Sequence, residues 1–335
     1  MKVFLTGATG FLGSALVQRF VANVRDVVCF VRKESDSLPA GVKQMVGDLA
    51  SLSRSENFGS STESSRNTTM TTELNHVLSD CAVVVHAAAR AHIMRDEVSD
   101  PLTEYRKVNR DATLALARLA AEAGVKRFVF VSSVKVNGES TKPNQPFKPQ
   151  LNFVPDDPYG LSKYEAEQGL LKIADETGME IVIVRPPLVY GPNVKGNFAS
   201  MVKWMKKGIP LPLGAVRNLR SLVALDNLVD FIALCADRER SPKAVNEVFL
   251  ISDGEDVSTS ELLRKVARAF GAKSRLLPIP DGLMKFSAKL LGKGAVGDRL
   301  FGNLQVDSSK AQNLLGWKPV VTMDEQLSKM VKNSD

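Results

Sequence analysis

The chain has four tyrosines, and only Tyr159 is followed four residues on by a lysine, Lys163. On a helix, positions i and i+4 share a face, so Tyr159-Gly160-Leu161-Ser162-Lys163 would set a phenol beside an ammonium. A nearby cation favours the phenolate, which lowers the phenol pKa and makes the tyrosine a proton donor or acceptor near neutrality. Upstream, Ser132-Ser133 closes an apolar run, and Ser133 is expected to hydrogen-bond the reacting oxygen beside Tyr159. Tyr–Lys pairs on exposed helices are common, so this one gains its weight from its place after a fifth strand.

A second constellation opens the chain. Thr6-Gly7-Ala8-Thr9-Gly10-Phe11-Leu12-Gly13 follows an apolar run and leads into a helical pattern. Glycines lack a Cβ, so they let the backbone turn sharply and approach a pyrophosphate held at a helix N-terminus. Gly7, Thr9, Gly10, Phe11, Leu12 and Gly13 are therefore the expected phosphate cradle of a dinucleotide site. An acidic residue at the end of the second strand would bind the adenosine ribose hydroxyls of NAD. The chain reads Phe30-Val31-Arg32-Lys33 there, and Arg32 could pair with a 2′-phosphate through its planar fork. This favours NADP(H) as cofactor and leaves NAD(H) as the other choice.

The elements that must position these residues are legible as an alternation. Strand-like runs lie at 2–6, 27–31, 42–46, 82–86, 127–131 and 180–184, with helical patterns at 12–24, 111–123 and 160–176. Apolar strands each followed by a helix predict an α/β fold, a Rossmann-type doubly wound parallel sheet. After Pro186 the alternation stops. Helices near 198–207 and 260–270 and a strand at 246–251 remain, among Pro/Gly turns. The expected division is a cofactor-binding domain over 1–190 and a smaller C-terminal substrate-binding lobe over 191–335, with some segments returning to the first domain. Between Ser51 and Glu73, 12 of 23 residues are Ser or Thr, which reads as a long flexible loop.

Composition narrows the class. The chain is 44% hydrophobic and 24% charged over 335 residues, ordinary values that exclude collagen-like, coiled-coil and disordered chains. No signal sequence or membrane-spanning run is apparent, so a cytoplasmic location is expected. Cys29, Cys81 and Cys235 sit singly in apolar surroundings, as buried thiols do. His86 reads as a packed strand-end residue in preference to a metal ligand, and no metal site is expected. Residues 1–190 carry 22 basic against 22 acidic side chains and residues 191–335 carry 22 against 15, so the whole net charge of +7 lies in the second part. That bias suggests an anionic ligand or surface, or a solvated basic face. No helix-turn-helix or aromatic-studded basic sheet points to nucleic acid. Lys206-Lys207 and the stretch 283–291 could give weak peripheral membrane association, although ordinary amphipathic helices account for them.

Read together, TGATGFLG, Gly47-Asp48-Leu49, His86-Ala87-Ala88-Ala89, Asn109, Ser132-Ser133, YGLSK and Val184-Arg185-Pro186-Pro187 occur in a familiar order. The chain resembles the extended short-chain dehydrogenase/reductase family of nucleotide-sugar epimerases, dehydratases and reductases. The resemblance runs from Lys2 to about Val194 and more loosely to about residue 319. It implies that Asp48 and Leu49 lie near the adenine and that Ala87, Ala88 and Ala89 pack along the cofactor. Asn109 and Pro186 join the cofactor contacts, Lys163 grips the nicotinamide ribose and Tyr159 exchanges the proton. In the second lobe Asn197 and Arg220 resemble uridine- and diphosphate-binding positions, with Arg299 a further candidate. A UDP-sugar substrate and a homodimer are implied, and the substrate would explain the basic lobe.

The 4,6-dehydratases of the family carry Thr-Asp-Glu after the catalytic strand, where this chain has Ser133-Val134-Lys135-Val136-Asn137. Without a carboxylate there, dehydration is not expected. Lys135, a substrate-facing position, stands where epimerases usually have Thr or Ser, and Asn137 where they have Tyr. The stretch Ala88–Asp96 resembles a subgroup tied to bacterial surface-polysaccharide (O-antigen, lipopolysaccharide) synthesis. Its reductases form UDP-N-acetylquinovosamine from the UDP-4-keto-6-deoxy sugar. The expected activity is thus NAD(P)H-dependent 4-keto-sugar reduction, with UDP-hexose or UDP-N-acetylhexosamine 4-epimerisation as the alternative. A non-catalytic NADP-binding sensor is the distant third; such proteins characteristically lose the Tyr/Lys pair kept here.

Overall fold

The computed structural model describes residues 1–53, 61–90, 100–280, 282–284 and 300–333. They form two compact units, the first Met1–Val136, Leu151–Arg185 and Val229–Phe249, the second Asn137–Gln150, Pro186–Leu228 and Leu250–Asp335. The units are interleaved in sequence: Val229–Phe249 lies in the first and Asn137–Gln150 in the second. Val229–Phe249 belongs to the first unit for a clear reason. The buried Arg127 guanidinium donates to the Cys235 carbonyl and to Ser241 Oγ, each at 2.8 Å, and to Glu180 Oε2 at 2.7 Å.

In the first unit, strands β1 (Lys2–Thr6), β2 (Asp26–Val31), β3 (Lys43–Val46), β4 (Val83–His86), β5 (Arg127–Val131), β6 (Glu180–Arg185) and β9 (Glu247–Leu250) form one sheet. Its order is β3-β2-β1-β4-β5-β6-β9, and every pair from β3 to β6 is parallel. Helices α1 (Phe11–Ala22), α2 (Leu49–Leu52), α3 (Ser61–Ser79), α4 (Pro101–Tyr105), α5 (Ala112–Glu122) and α6 (Pro158–Thr177) connect them. This is the Rossmann-type doubly wound fold. Its strand order reverses between β1 and β4, where such sheets bind ligands beyond the strands' carboxyl ends. Helices α3, α5 and α6 share one core with the sheet through Leu74, Leu116, Phe128, Leu170 and Ile183.

The Ser/Thr-rich stretch corrects an expectation. Where described, it is helical, ending α2 and forming much of α3; residues 54–60 lie outside the described residues. Met70, Leu74, Val77 and Leu78 recur at helical spacing and pack on the core. The burial of that face in the last turns outweighs the weak helix propensity of the residues before it.

The second unit holds β7 (Leu188–Tyr190), α7 (Gly196–Lys206), β8 (Arg220–Ala224), β10 (Asp256–Val257), α9 (Thr259–Ala269), α10 (Ser309–Leu315) and α11 (Met323–Lys332). Helix α8 (Leu225–Ala236) begins in it and ends in the first unit. β8 pairs parallel with β7 and antiparallel with β10. Tyr190, Phe198, Leu222, Leu263 and Leu327 build its core. Capping boxes, Ser258 with Glu261 and Thr322 with Glu325, start α9 and α11. Among the described residues no helix is long and apolar enough to cross a membrane. The three cysteines are buried free thiols, and burial pushes Cys29 up to about 12 and Cys81 up to about 11.

Candidate active site

The glycine loop is fixed by the protein's own backbone. Gly7 has φ +75°, and a Cβ there would lie 2.7 Å from Ala88 N and 2.8 Å from the Ala87 carbonyl carbon. A Cβ on Gly13 would fall 1.9 Å from the Gly7 carbonyl oxygen. Gly10 N donates to that same oxygen at 2.9 Å. Gly10 caps α1, and no side chain among the described residues caps the first N–H groups of the helix, which include those of Phe11 and Leu12. Thr9 and Gly10 are exposed at this end. Uncapped donors beside three glycines fit a pyrophosphate.

Beneath the loop, Thr6 Oγ1 is 2.7 Å from His86 Nδ1 and accepts from Ala88 N at 3.2 Å. His86 Nε2 lies 3.0 Å from Thr113 Oγ1, and the ring stacks on Phe130. Both ring nitrogens are thus engaged within the core, and burial lowers the His86 pKa to about 3, with Lys163 adding to the effect. His86 is a neutral strut between β1, β4 and α5. Asn109 lies in a π-helical turn, Arg106–Asp111, and is buried. Its Oδ1 accepts from Arg90 N at 2.8 Å, while Nδ2 donates to Arg90 O and to Ser162 Oγ, both at 3.1 Å. It ties the loop after Ala87–Ala89 to the first turns of α6.

Helix α6 starts where its sequence dictates. Asp157 is its N-cap and accepts from Gly160 N at 2.7 Å, Pro158 occupies the first turn, and Gly178 ends it in the left-handed conformation. This sets Tyr159 and Lys163 on consecutive turns. Ser133 hydrogen-bonds the Tyr159 phenol. The Lys163 side chain is about 1% exposed; Nζ donates to Val131 O at 2.9 Å and stands 4.4 Å from the Phe130 ring centroid.

The electrostatics reverse one expectation. Although Tyr159 keeps part of its surface in solvent, burial around the phenol raises its pKa to about 12, and the Ser133 hydrogen bond only partly opposes this. Burial lowers Lys163 to about 7, with Glu167 one turn further on pulling it up. Loss of water dominates at both groups, and neither shift has the other group among its causes, so each is driven toward its neutral form. Tyr159 therefore rests as a phenol, ready to give a proton.

Two residues that sequence reasoning left without a role anchor this helix. Glu167 accepts from Arg185 Nε at 2.9 Å and Nη2 at 2.5 Å, and from Ser132 Oγ at 2.5 Å, all buried. Ser132 thus supports the site while Ser133 faces Tyr159. The signal was a glutamate four residues beyond Lys163, on the face of α6 that the apolar pattern buries. Tyr105 packs edge-on to Tyr159 at 5.8 Å, and the Arg90 guanidinium lies 5.7 Å from the Tyr105 ring centroid.

The remaining expected residues are placed as follows. Arg32 is exposed just beyond β2, and Asp48 is exposed as the N-cap of α2, accepting from Ala50 N at 3.1 Å, while Leu49 packs on the core. Lys135 Nζ is 3.9 Å from Asp157 Oδ2, and a Cβ on Gly160 would lie 2.7 Å from Lys135 O. The Lys135 turn therefore packs directly on the first turn of α6. In the second unit Pro186 is buried before β7, and Asn197 falls in the first turn of α7. Arg220 is half-buried on β8, donating to Gly302 O at 3.1 Å. Arg299, and most of the 88–96 and 283–291 stretches, lie outside the described residues.

The chain belongs to the NAD dependent epimerase/dehydratase family, which it matches over residues 3–251. A UDP-glucose 4-epimerase of Vibrio cholerae is 45% identical to it over 97% of this chain and 92% of that one. Among solved structures, the Thermotoga maritima UDP-glucose 4-epimerase with UDP-glucose superposes with TM-score 0.75 at 23% identity, covering 100% and 98% of the two chains. The Thermus thermophilus UDP-glucose 4-epimerase complex with NAD gives TM-score 0.75 at 22% identity, covering 99% and 98%. These likenesses carry the fold. The family's cofactor is NAD, so the NADP(H) preference expected from Arg32 gains no support.

Proposed function

We propose that this protein is a UDP-sugar 4-epimerase with NAD as its resident cofactor, in place of the 4-keto-sugar reductase expected from the sequence. The observation that carries this reading is the 45% identity, over nearly the whole chain, to the Vibrio cholerae UDP-glucose 4-epimerase. The residues fit it. Gly7–Gly13 would hold the pyrophosphate, Ala87–Ala89 would flank the cofactor, and Lys163 would reach the ribose. Bound NAD supplies the acceptor and donor of hydride at C4 of the sugar.

The protein's own part is the proton. Tyr159 takes the proton of the 4-hydroxyl as the C4 carbonyl forms and returns it when the carbonyl is reduced on its other face. Ser133 hydrogen-bonds O4 throughout. Because Tyr159 rests as a phenol with a pKa of about 12, it must first release its own proton to solvent before it can take the 4-hydroxyl proton; the positive charge that bound NAD would bring, with Lys163 held protonated by Glu167, would stabilise that phenolate. The stretch Ser133–Asn137 has no carboxylate to remove water from the sugar, which fits epimerisation over dehydration. Arg220 would hold the UDP diphosphate.

The test is incubation with UDP-galactose and with UDP-N-acetylgalactosamine. Product should approach an equilibrium mixture of the 4-epimers, read by NMR, with no net change in absorbance at 340 nm. Stoichiometric consumption of NADPH with a UDP-4-keto-6-deoxy sugar, and no epimer formed, would restore the reductase reading.

A further inference from the structure

Between Gly191 and Leu225 the chain carries six basic residues and no aspartate or glutamate; between Leu262 and Pro280 it carries five and none. Within the second unit these two stretches meet. Helix α7 packs on α9, and Lys206 Nζ lies 5.1 Å from the Phe270 ring centroid. Leu211 N donates to Arg275 O at 3.0 Å, and Leu277 N donates to Leu211 O at 2.8 Å. Ile209 N donates back to Trp204 O at 3.3 Å, which joins the end of α7 to this pair of segments.

The outward side of this region combines charge with apolar bulk. On α7, Phe198 and Met205 are buried, whereas Lys203, Trp204 and Lys207 are exposed on the opposite side of the helix. Trp204 is 45% exposed, Ile209 39% and Leu277 50%. Single exposed apolar side chains are ordinary, but here three lie on adjoining segments among exposed lysines and an arginine. Tryptophan beside lysines, with further exposed apolar side chains on the adjoining segments, matches the interfacial layer of a bilayer. There indole sits at the headgroup boundary and ammonium groups reach anionic phosphates. Arg220, half-buried and donating to the Gly302 carbonyl, is proposed as a diphosphate contact and takes no part in this face.

We propose that this face of the second unit, α7 with residues 209–211 and 275–277, docks on an anionic lipid surface. Lys265 is paired with Glu255 and Asp324, so it is the exposed Lys203, Lys207, Lys273 and Arg275 that select anionic over zwitterionic headgroups, and Trp204 with Ile209 and Leu277 supplies the shallow apolar insertion. The association is reversible, since a few interfacial side chains fall far short of a membrane anchor.

The experiment is co-sedimentation of the full chain with phosphatidylcholine vesicles and with vesicles containing phosphatidylglycerol, at about 0.1 M and 0.5 M salt. Binding should appear on the anionic vesicles only and fall at the higher salt. Each lysine near such a surface contributes about five-fold, so Lys203→Gln/Lys207→Gln should partition about 25-fold more weakly while keeping the wild-type thermal midpoint. Emission from Trp204 should shift to the blue on anionic vesicles and the shift should vanish in Trp204→Phe, because the other tryptophan, Trp317, is only 6% exposed. Equal binding to neutral vesicles, wild-type partitioning by the double variant, or retention of a single-stranded oligonucleotide with no vesicle binding would each overturn the proposal.

Discussion

Tyr159 owes its proposed role to one oxygen, held by Ser133 and raised to a pKa of about 12 by its surroundings. Tyr159→Phe removes that oxygen and keeps the ring on Tyr105. Epimerisation should drop by about 10²–10⁴-fold, the usual worth of general acid–base catalysis, while NAD binding measured by calorimetry is retained. Near-normal turnover would remove Tyr159 from the mechanism. His86 gives a pH dependence of a different kind. Its pKa is about 3 when folded against an ordinary value of 6.5, so the folded protein binds fewer protons between those limits. Stability contributed by the neutral ring is present above pH 6.5 and is lost as pH falls toward 3, with a slope of at most about 1.4 kcal/mol per pH unit. Lys163, lowered to about 7 from 10.5, acts in the same sense over the higher window, where stability rises with pH. His86→Gln can still hydrogen-bond Thr6 and Thr113 but does not titrate. Urea unfolding across pH 4–7 should therefore show a shallower decline in this variant than in the wild type; an unchanged slope would mean that other groups set the acid limit.

Between elements, the position of α6 rests on a buried ion pair. Removing one partner of such a pair leaves an uncompensated charge, so Glu167→Leu should cost on the order of 3–5 kcal/mol in urea unfolding. Glu167→Leu/Arg185→Met should recover most of that loss, because neither charge then remains. A double variant as unstable as the single one would show that the lost volume, not the charge, matters. The glycine loop behaves differently. In Gly13→Ala the new methyl would meet the Gly7 carbonyl oxygen at 1.9 Å, a backbone atom that no side-chain rotation can clear. Loss of NAD binding with measurable destabilisation is expected. The sequence reveals both the glycine loop and the Tyr–Lys turn because each depends on residue types at short fixed spacings. It does not reveal Glu167–Arg185, or the clamp of Asn109 on Arg90, because those partners meet only after distant segments fold together. The strands β1, β2, β4, β5 and β6 are legible for a related reason: buried on both faces, they read as largely continuous apolar runs. β7 and β10, three and two residues long, are too short to read as runs, and α3 is disguised by Ser and Thr until its last turns reach the core. The pKa reversal at Tyr159 depends on burial depth, which spacing does not encode.

At the scale of the whole chain, the division into two units separates the expected ligands by region. The glycine loop, Ser133, Tyr159 and Lys163 belong to the first unit, and Arg220 to the second. Both tryptophans, Trp204 and Trp317, also belong to the second, so tryptophan fluorescence reports on that unit selectively. A ligand that binds only the folded protein raises its unfolding free energy by RT ln(1 + [L]/Kd), about 2.7 kcal/mol at a hundred times Kd. UDP should therefore raise the thermal midpoint read by tryptophan emission. Arg220→Ala removes the proposed diphosphate contact together with its bond to the Gly302 carbonyl, so the variant's own midpoint will differ from that of the wild type. The informative quantity is the increment added by ligand. In Arg220→Ala the UDP increment should shrink by the worth of a charge-assisted hydrogen bond, about 1.5–3 kcal/mol, while the NAD increment read by calorimetry stays within error of the wild type. An undiminished UDP increment would place the diphosphate away from Arg220. A parallel loss of the NAD increment would show that Arg220 supports the fold of both units and is not a ligand contact of the second alone.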